Sequence, residues 1–385
     1  MAMNVWYKFF SINSGRQLKE LYVFSILFSF ASALILIFEP VFFYQEGITL
    51  SRIALYYALH YSLYIFLLPL GGKFAGRYGL ERSLSWSMPL FVVYFVTLAA
   101  IPLAPSLFWL TWILLTFFKI LYWPAYHAEV CKYSDEKNQG TELSWLFTFT
   151  QGVGVLGPIV GGLIAAYFGF SVLFVVAASL ALLAAFPLLR TQERYRRQTY
   201  DYLSPWRVIV SRRHRGMVWT MLGWGENLID MVFWPVFMFT ILGGAAQLGL
   251  VASLNIVVMT LLGFLVGEIS DRFSYQKILR WHIPFMALGY LWRPLAGTWP
   301  RVFLTDTLSK AAFIGIRIPM WYRLYRQGRQ AGALSYVVAL EIVLSISKAA
   351  TAWVLVGVFA VALPHAGFTV AWLLAAALTS LYVFL

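Results

Sequence analysis

The sequence predicts an all-α membrane protein of twelve transmembrane helices arranged as two pseudo-symmetric six-helix bundles. Three observations predict it: an apolar composition, basic residues in alternate loops, and a loop signature that occurs twice, half a chain apart. Of the 385 residues 61% are hydrophobic and only 12% charged, far from the balance of an ordinary soluble domain. A helix needs about 20 apolar residues to cross the hydrocarbon core. Hydropathy yields twelve such runs, at 21–44, 52–71, 84–103, 106–128, 142–168, 170–189, 217–242, 245–267, 277–297, 299–321, 331–362 and 366–385. The first run is too long for a signal peptide and lacks a small-residue cleavage pattern, so it reads as a retained span. The last run ends with the chain, and no C-terminal domain is expected after it.

The formal net charge of +13 raises nucleic acid as a partner, and the placement of the bases rejects it. Bases cluster before span 1 (Lys8, Arg16, Lys19) and after spans 2 (Lys73, Arg77, Arg82), 4 (Lys132, Lys137), 6 (Arg190 to Arg215), 8 (Lys277, Arg280) and 10 (Arg323, Arg326, Arg329). The intervening loops hold few, namely Arg52, Arg293 and Arg301. By the positive-inside rule both termini are cytoplasmic, which requires an even number of spans. The expected location is a bacterial inner (plasma) membrane. Cys131 is the single cysteine, so no intrachain disulfide forms, and it reads as a small packing residue.

Four segments follow: an interfacial N-terminus at 1–20, a first bundle at 21–190, a basic linker at 191–216 and a second bundle at 217–385. Trp6-Tyr7-Lys8-Phe9-Phe10 mixes aromatics with a base and reads as an interface anchor. The linker's arginines are expected against anionic lipid headgroups, at about 1 kcal/mol each.

The repeated signature runs from Gly72 through Arg77 and Arg82 to Leu84, and again from Gly267 through Asp271, Arg272 and Lys277 to Leu279. Each copy joins two apolar runs, so the repeat means two homologous membrane bundles. It resembles the Gly-x-x-x-Asp-Arg-x-Gly-Arg motif of the major facilitator superfamily, found between helices 2 and 3 and again between 8 and 9. The first copy has Gly76 where Asp is usual and Leu80 where Arg is usual; the second has Ser274 and Tyr275 for Gly-Arg. In that family the loop acid and base help to latch neighbouring helices, and the first copy lacks the acid. The resemblance implies alternating access around a midplane site lined by helices 1, 4, 7 and 10. Span 5 carries Gly157-Pro158-Ile159-Val160-Gly161-Gly162. Its glycines permit close helix crossing and its proline bends the helix. It also resembles the antiporter motif of the family's proton-coupled exporters.

An ionisable group at mid-membrane costs about 2.5–3.5 kcal/mol, so such groups face a cavity or a partner. Span 1 carries Glu39, span 4 Lys119, span 7 Glu226 and Asp230, span 10 Asp306, Lys310 and Arg317, and span 11 Glu341 and Lys348. Most fall on the helices that the resemblance assigns to the cavity. Glu226 and Asp230 are one turn apart on one face. Two such carboxylates cannot both stay ionised cheaply in low dielectric, so they are candidate proton carriers with Lys119 as their charge partner. Glu39 is a candidate at the cavity rim, with capping as the alternative. Asp306 and Lys310 are either an intrahelical ion pair or part of the cavity. Lys119, Lys310 and Arg317 form an alternative set for an anion. Glu341 and Lys348 read as a structural pair, His60 as a hydrogen-bonded packing residue and His127 as interfacial. Tyr122, Trp123, Trp224 and Trp234 are candidate lining for the cavity, although interface belts also collect such residues.

A Gly-x-x-x-x-Gly-Lys loop for ATP is missing from the sequence, as are metal-ligand spacings and a nucleophile constellation. Neither enzyme activity nor a cofactor is expected. The expected function is secondary transport of a small organic solute, with protons and membrane lipids as the other partners and a monomer sufficient. Proton antiport leads; symport or exchange of an anion, and lipid flipping, are the alternatives.

Overall fold

The computed structural model describes residues 16–133, 139–189, 200–270 and 275–384. The chain runs up and down through twelve spans. Span 1 is Arg16–Ile35 continued by Phe38–Gln45, and spans 2 to 6 are Leu50–Tyr78, Leu80–Ala100, Phe108–Tyr133, Gln139–Phe168 and Phe170–Leu189. After a short helix, Ser204–Val210, span 7 runs from Arg215 to Leu242 in several pieces. Spans 8 to 12 are Ala245–Ser270, Tyr275–Trp292, Trp299–Ala331, Ala333–Val361 and Pro364–Thr379. Among the described residues eight helical stretches are long and apolar enough to cross a membrane. Span 10 is the most polar of the twelve, carrying Arg301, Asp306, Lys310 and Arg317 along its length.

The connections are tight where glycine allows it. Gly79 (φ 114°) alone separates spans 2 and 3, and Gly332 (φ 88°) alone separates spans 10 and 11. Both occupy left-handed backbone that a side chain would strain. The first signature is therefore mostly helix, with only Gly79 outside it. On the opposite face, the Thr49 side chain caps span 2 by accepting from the Arg52 amide at 3.4 Å.

In the first half, span 1 packs on spans 5 and 6, and span 3 on spans 4 and 6. In the second, span 9 packs on spans 10 and 12. The halves meet chiefly through two pairs of helices, span 2 on span 11 and span 5 on span 8, with span 4 also touching spans 10 and 11. Small residues set the second crossing. A Cβ on Gly162 would strike the Ala245 carbonyl, and one on Gly249 would strike the Pro158 carbonyl. The Ile159 amide donates across the same crossing to Ser253 Oγ at 3.0 Å. Gly157 and Gly161 instead seat span 1, against Ala33 and Leu34. The glycines of span 5 thus serve one contact within the half and one between halves.

The halves touch at both membrane faces. Ser51 Oγ donates to the Val356 carbonyl at 3.0 Å near one face. Near the basic face, Gly72 is packed against Tyr200 and Val338. Tyr202 donates to the Phe66 carbonyl at 2.9 Å, and Ser204 bonds Ser335 at 2.8 Å. The described part of the linker therefore straps span 2 to span 11. The interface anchor at Trp6–Phe10 and the linker residues 190–199 lie outside the described residues.

Candidate functional site

Span 7 builds the first charged cluster. Its helix is interrupted at Trp224 and again by a π-turn, Ile229–Phe233, ahead of Pro235. Proline has no amide to complete the preceding turn, and π-turns of this kind concentrate at functional sites. Asp230 lies in the π-turn and Glu226 one turn before it. Glu226 is 1% exposed and accepts hydrogen bonds from the hydroxyls of Tyr290 on span 9 and Tyr382 beyond span 12, the latter at 2.8 Å. Among the described residues no cation lies within ion-pair distance of it.

Asp230 is ion-paired with Arg293. Sequence reasoning placed Arg293 in a loop; the structure buries it completely at the end of span 9. Its guanidinium lies 4.1 Å from the Trp234 ring centroid and 4.4 Å from that of Tyr290. Arginine tolerates this setting because its delocalised charge is weakly hydrated and stacks on aromatic faces. A buried acid in search of a cation was the signal that could have found it.

Asp306 and Lys310 form the intrahelical ion pair that their spacing allows, at 2.7 Å. Asp306 also accepts from Trp234 Nε1 at 2.8 Å and from the Asn255 amide. Trp234 is fully buried, a donor in the second half's interior and no part of a cavity wall. Glu226, Asp230 and Lys310 border one void that offers about 10 Å³ to the centre of a water molecule, room for about one water.

The second cluster bridges the halves near the basic face. His127 is buried at 5% exposure and not interfacial, because span 4 continues to Tyr133. Its Nδ1 lies 2.7 Å from the Tyr325 hydroxyl and its Nε2 3.1 Å from Glu341. The imidazole is stacked between Trp123 and Trp321, 5.2 Å from each. Glu341 also accepts from Tyr64 at 3.2 Å. Spans 2 and 4 are thereby tied to spans 10 and 11. The partner of Glu341 is His127, where spacing had suggested Lys348.

The third cluster lies between spans 1, 2, 4 and 11. Lys119 and Lys348 point their ammoniums at one ring, Tyr61, from 5.2 and 5.4 Å. Glu39 accepts from Tyr57 at 2.9 Å. His60 is fully buried, with Nδ1 2.8 Å from Thr116 Oγ1. The charges that act on Lys119 are Glu39, Glu341 and Lys348. The expected pairing of Lys119 with Asp230 and Glu226 gives way to the pairing of Asp230 with Arg293.

The remaining candidates are dispersed. Arg317 is exposed, its guanidinium 5.8 Å from the Phe313 ring. Tyr122 stacks on Phe28 at 4.6 Å in the first half, and Trp224 meets Trp321 edge-on at 5.7 Å in the second. Arg77 is exposed over Tyr78 at 5.3 Å, and Arg82 is exposed nearby. Of the second signature, Asp271 and Arg272 lie outside the described residues, as do the side-chain surroundings of Gly267 and Lys277.

Comparison with known proteins agrees with this architecture. The family profile described as Major Facilitator Superfamily matches residues 21–321. The crystal structure of a variant of nucleoside transporter NupG superimposes with a TM-score of 0.71, covering 96% of this chain and 98% of that one at 14% identity. A "Multi-drug resistance efflux pump PmrA homolog" of Lactococcus lactis subsp. lactis (strain IL1403) is 25% identical over 179 residues. That match spans 45% of this chain and 44% of the relative, under half the length of each. With the profile covering most of the chain and the twelve-helix fold shared, this protein belongs to the major facilitator superfamily and is a multi-pass membrane transporter, not an enzyme.

Proposed function

We propose that the chain is a proton-coupled antiporter that exports a small organic solute by alternating access across a bacterial inner membrane, with both termini cytoplasmic. The observation that carries this reading is the asymmetry within span 7. Asp230 has a cation, Arg293, held beside it, whereas Glu226 is buried and, among the described residues, has two tyrosine hydroxyls for partners. A phenol can donate to a carboxylate or accept from a carboxylic acid, so the Tyr290–Glu226–Tyr382 arrangement accommodates the proton's arrival and departure without moving the backbone. Glu226 is the carrier, and the Asp230–Arg293 pair is the fixed charge beside it. Solute binding releases the proton, and a proton taken up from outside resets the transporter.

Two further observations support antiport. The span-5 glycines seat span 8 across the interface between halves, the place where the exporters' motif acts. The partial relative carries an efflux-pump description. Symport or exchange of an anion is the second reading, supported by the two lysines around Tyr61.

The test is proton release from purified protein in detergent when cations, anions and neutral aromatics are added in turn. Release by at least one compound, lost in Glu226→Gln, is expected. Proton uptake with anions alone would favour the second reading, and release that persists in Glu226→Gln would remove Glu226 as the carrier.

A further inference from the structure

The cluster around Tyr61 is short of negative charge where it matters. Lys119 comes from span 4 and Lys348 from span 11, one from each half, and both ammoniums lie over the same ring. Lys348 is 8% exposed and Lys119 half-buried. Neither is within ion-pair distance of an acid among the described residues. The two nearby acids already have partners: Glu39 is held by Tyr57, and Glu341 by His127 and Tyr64. Each lysine also acts on the other with like charge. Cation–π contact with Tyr61 offsets part of this, but a buried charge without a counterion is costly.

A third unsatisfied group lies in the same layer. His60 is within electrostatic reach of both lysines, and its buried Nε2 has no hydrogen-bond partner among the described residues. Thr116 donates its hydroxyl to the Trp112 carbonyl at 2.7 Å and so accepts from His60 Nδ1. That fixes the proton on Nδ1 and leaves Nε2 as an acceptor.

We infer that Lys119 and Lys348 form the binding site for a small soluble organic acid, whose carboxylate draws the two halves together. The orphaned acceptor on His60 suits an acid that also carries a hydroxyl or amino group. The assignment rests on the transporter reading above and adds the substrate class to it. Because the clasp is made of one residue from each half, acid bound there stabilises the closed arrangement in which Lys119 and Lys348 share Tyr61. Loss of either lysine removes the site without touching Glu226.

The experiment is thermal unfolding of the full chain in detergent, titrated with malate, succinate or choline chloride at matched ionic strength. Malate is expected to raise the midpoint saturably and more strongly than succinate, with choline inert. Lys119→Met and Lys348→Met should each weaken the malate response about tenfold or more, and Lys119→Arg should retain it. A flat response to both acids overturns the site, as does a malate response unchanged in both methionine variants. A midpoint raised by phosphatidic acid added to the detergent micelles, but by neither soluble acid, overturns the soluble ligand in favour of a lipid headgroup. Proton release, read in parallel, separates the two claims: lysine-dependent malate binding without release leaves the site standing and removes proton coupling.

Discussion

The charges inside the second half and those between the halves are organised differently. Asp230 with Arg293 and Asp306 with Lys310 are complete ion pairs, and every partner comes from spans 7 to 10. Between the halves, His127 reaches Glu341 across the interface, while Lys119 and Lys348 crowd one tyrosine ring. Pairs contained within one rigid bundle keep their geometry when the bundles rock. Under the proposed alternating access, contacts that cross the interface break and reform with each exchange. The first kind then stabilises a half, and the second kind sets which way the protein faces.

The most severe challenge to this contrast is Asp230→Ala. It leaves the Arg293 guanidinium buried and uncompensated, at a cost of about 3–5 kcal/mol. A large drop in thermal midpoint is expected, with recovery when Arg293→Leu is added. A single variant as stable as the parent would mean that the pair is not closed.

The interface is tested by His127→Ala. Removing a hydrogen bond to a charged group costs about 1.5–3 kcal/mol, here taken from the closed basic end alone. Cys131 supplies a native reporter, since it is buried on span 4 where a Cβ on Gly328 of span 10 would lie 3.4 Å from its sulfur. Maleimide labelling of Cys131 should accelerate about tenfold or more, with little change in thermal midpoint. Unchanged labelling would show that the His127–Glu341 contact does not hold this end.

Tyr325→Phe gives the smallest of these effects. It deletes only the hydroxyl at His127 Nδ1, worth about 0.5–1.5 kcal/mol, so labelling should rise about two- to tenfold. An effect larger than that of His127→Ala would make Tyr325, and not the imidazole, the centre of the contact.

The fold was legible because membrane insertion writes itself locally: each span announces itself by about 20 apolar residues, and basic loops mark every second turn. Even span 10, the most polar, stood out by hydropathy, and the loop alternation independently required an even number of spans. Individual charges on spans 1, 4, 7, 10 and 11 were legible for the same reason, as costly exceptions in apolar runs. Their partners were not. Arg293 lies 63 positions from Asp230 and Tyr382 lies 156 from Glu226, and no local pattern encodes those meetings. His127 was misplaced because its distance from the apolar run's end suggested an interface, whereas the helix continues past it. Trp234 looked like a cavity aromatic, and only tertiary packing reveals that its indole serves Asp306.

Infrared difference spectroscopy of the purified protein, stepped from mildly alkaline to mildly acidic buffer, tests the central claim most directly. The account predicts a protonated-carboxyl band from a buried group, shifted in heavy water, that disappears in Glu226→Gln and persists in Asp306→Asn. A band unchanged in Glu226→Gln would contradict the assignment of the transported proton to Glu226.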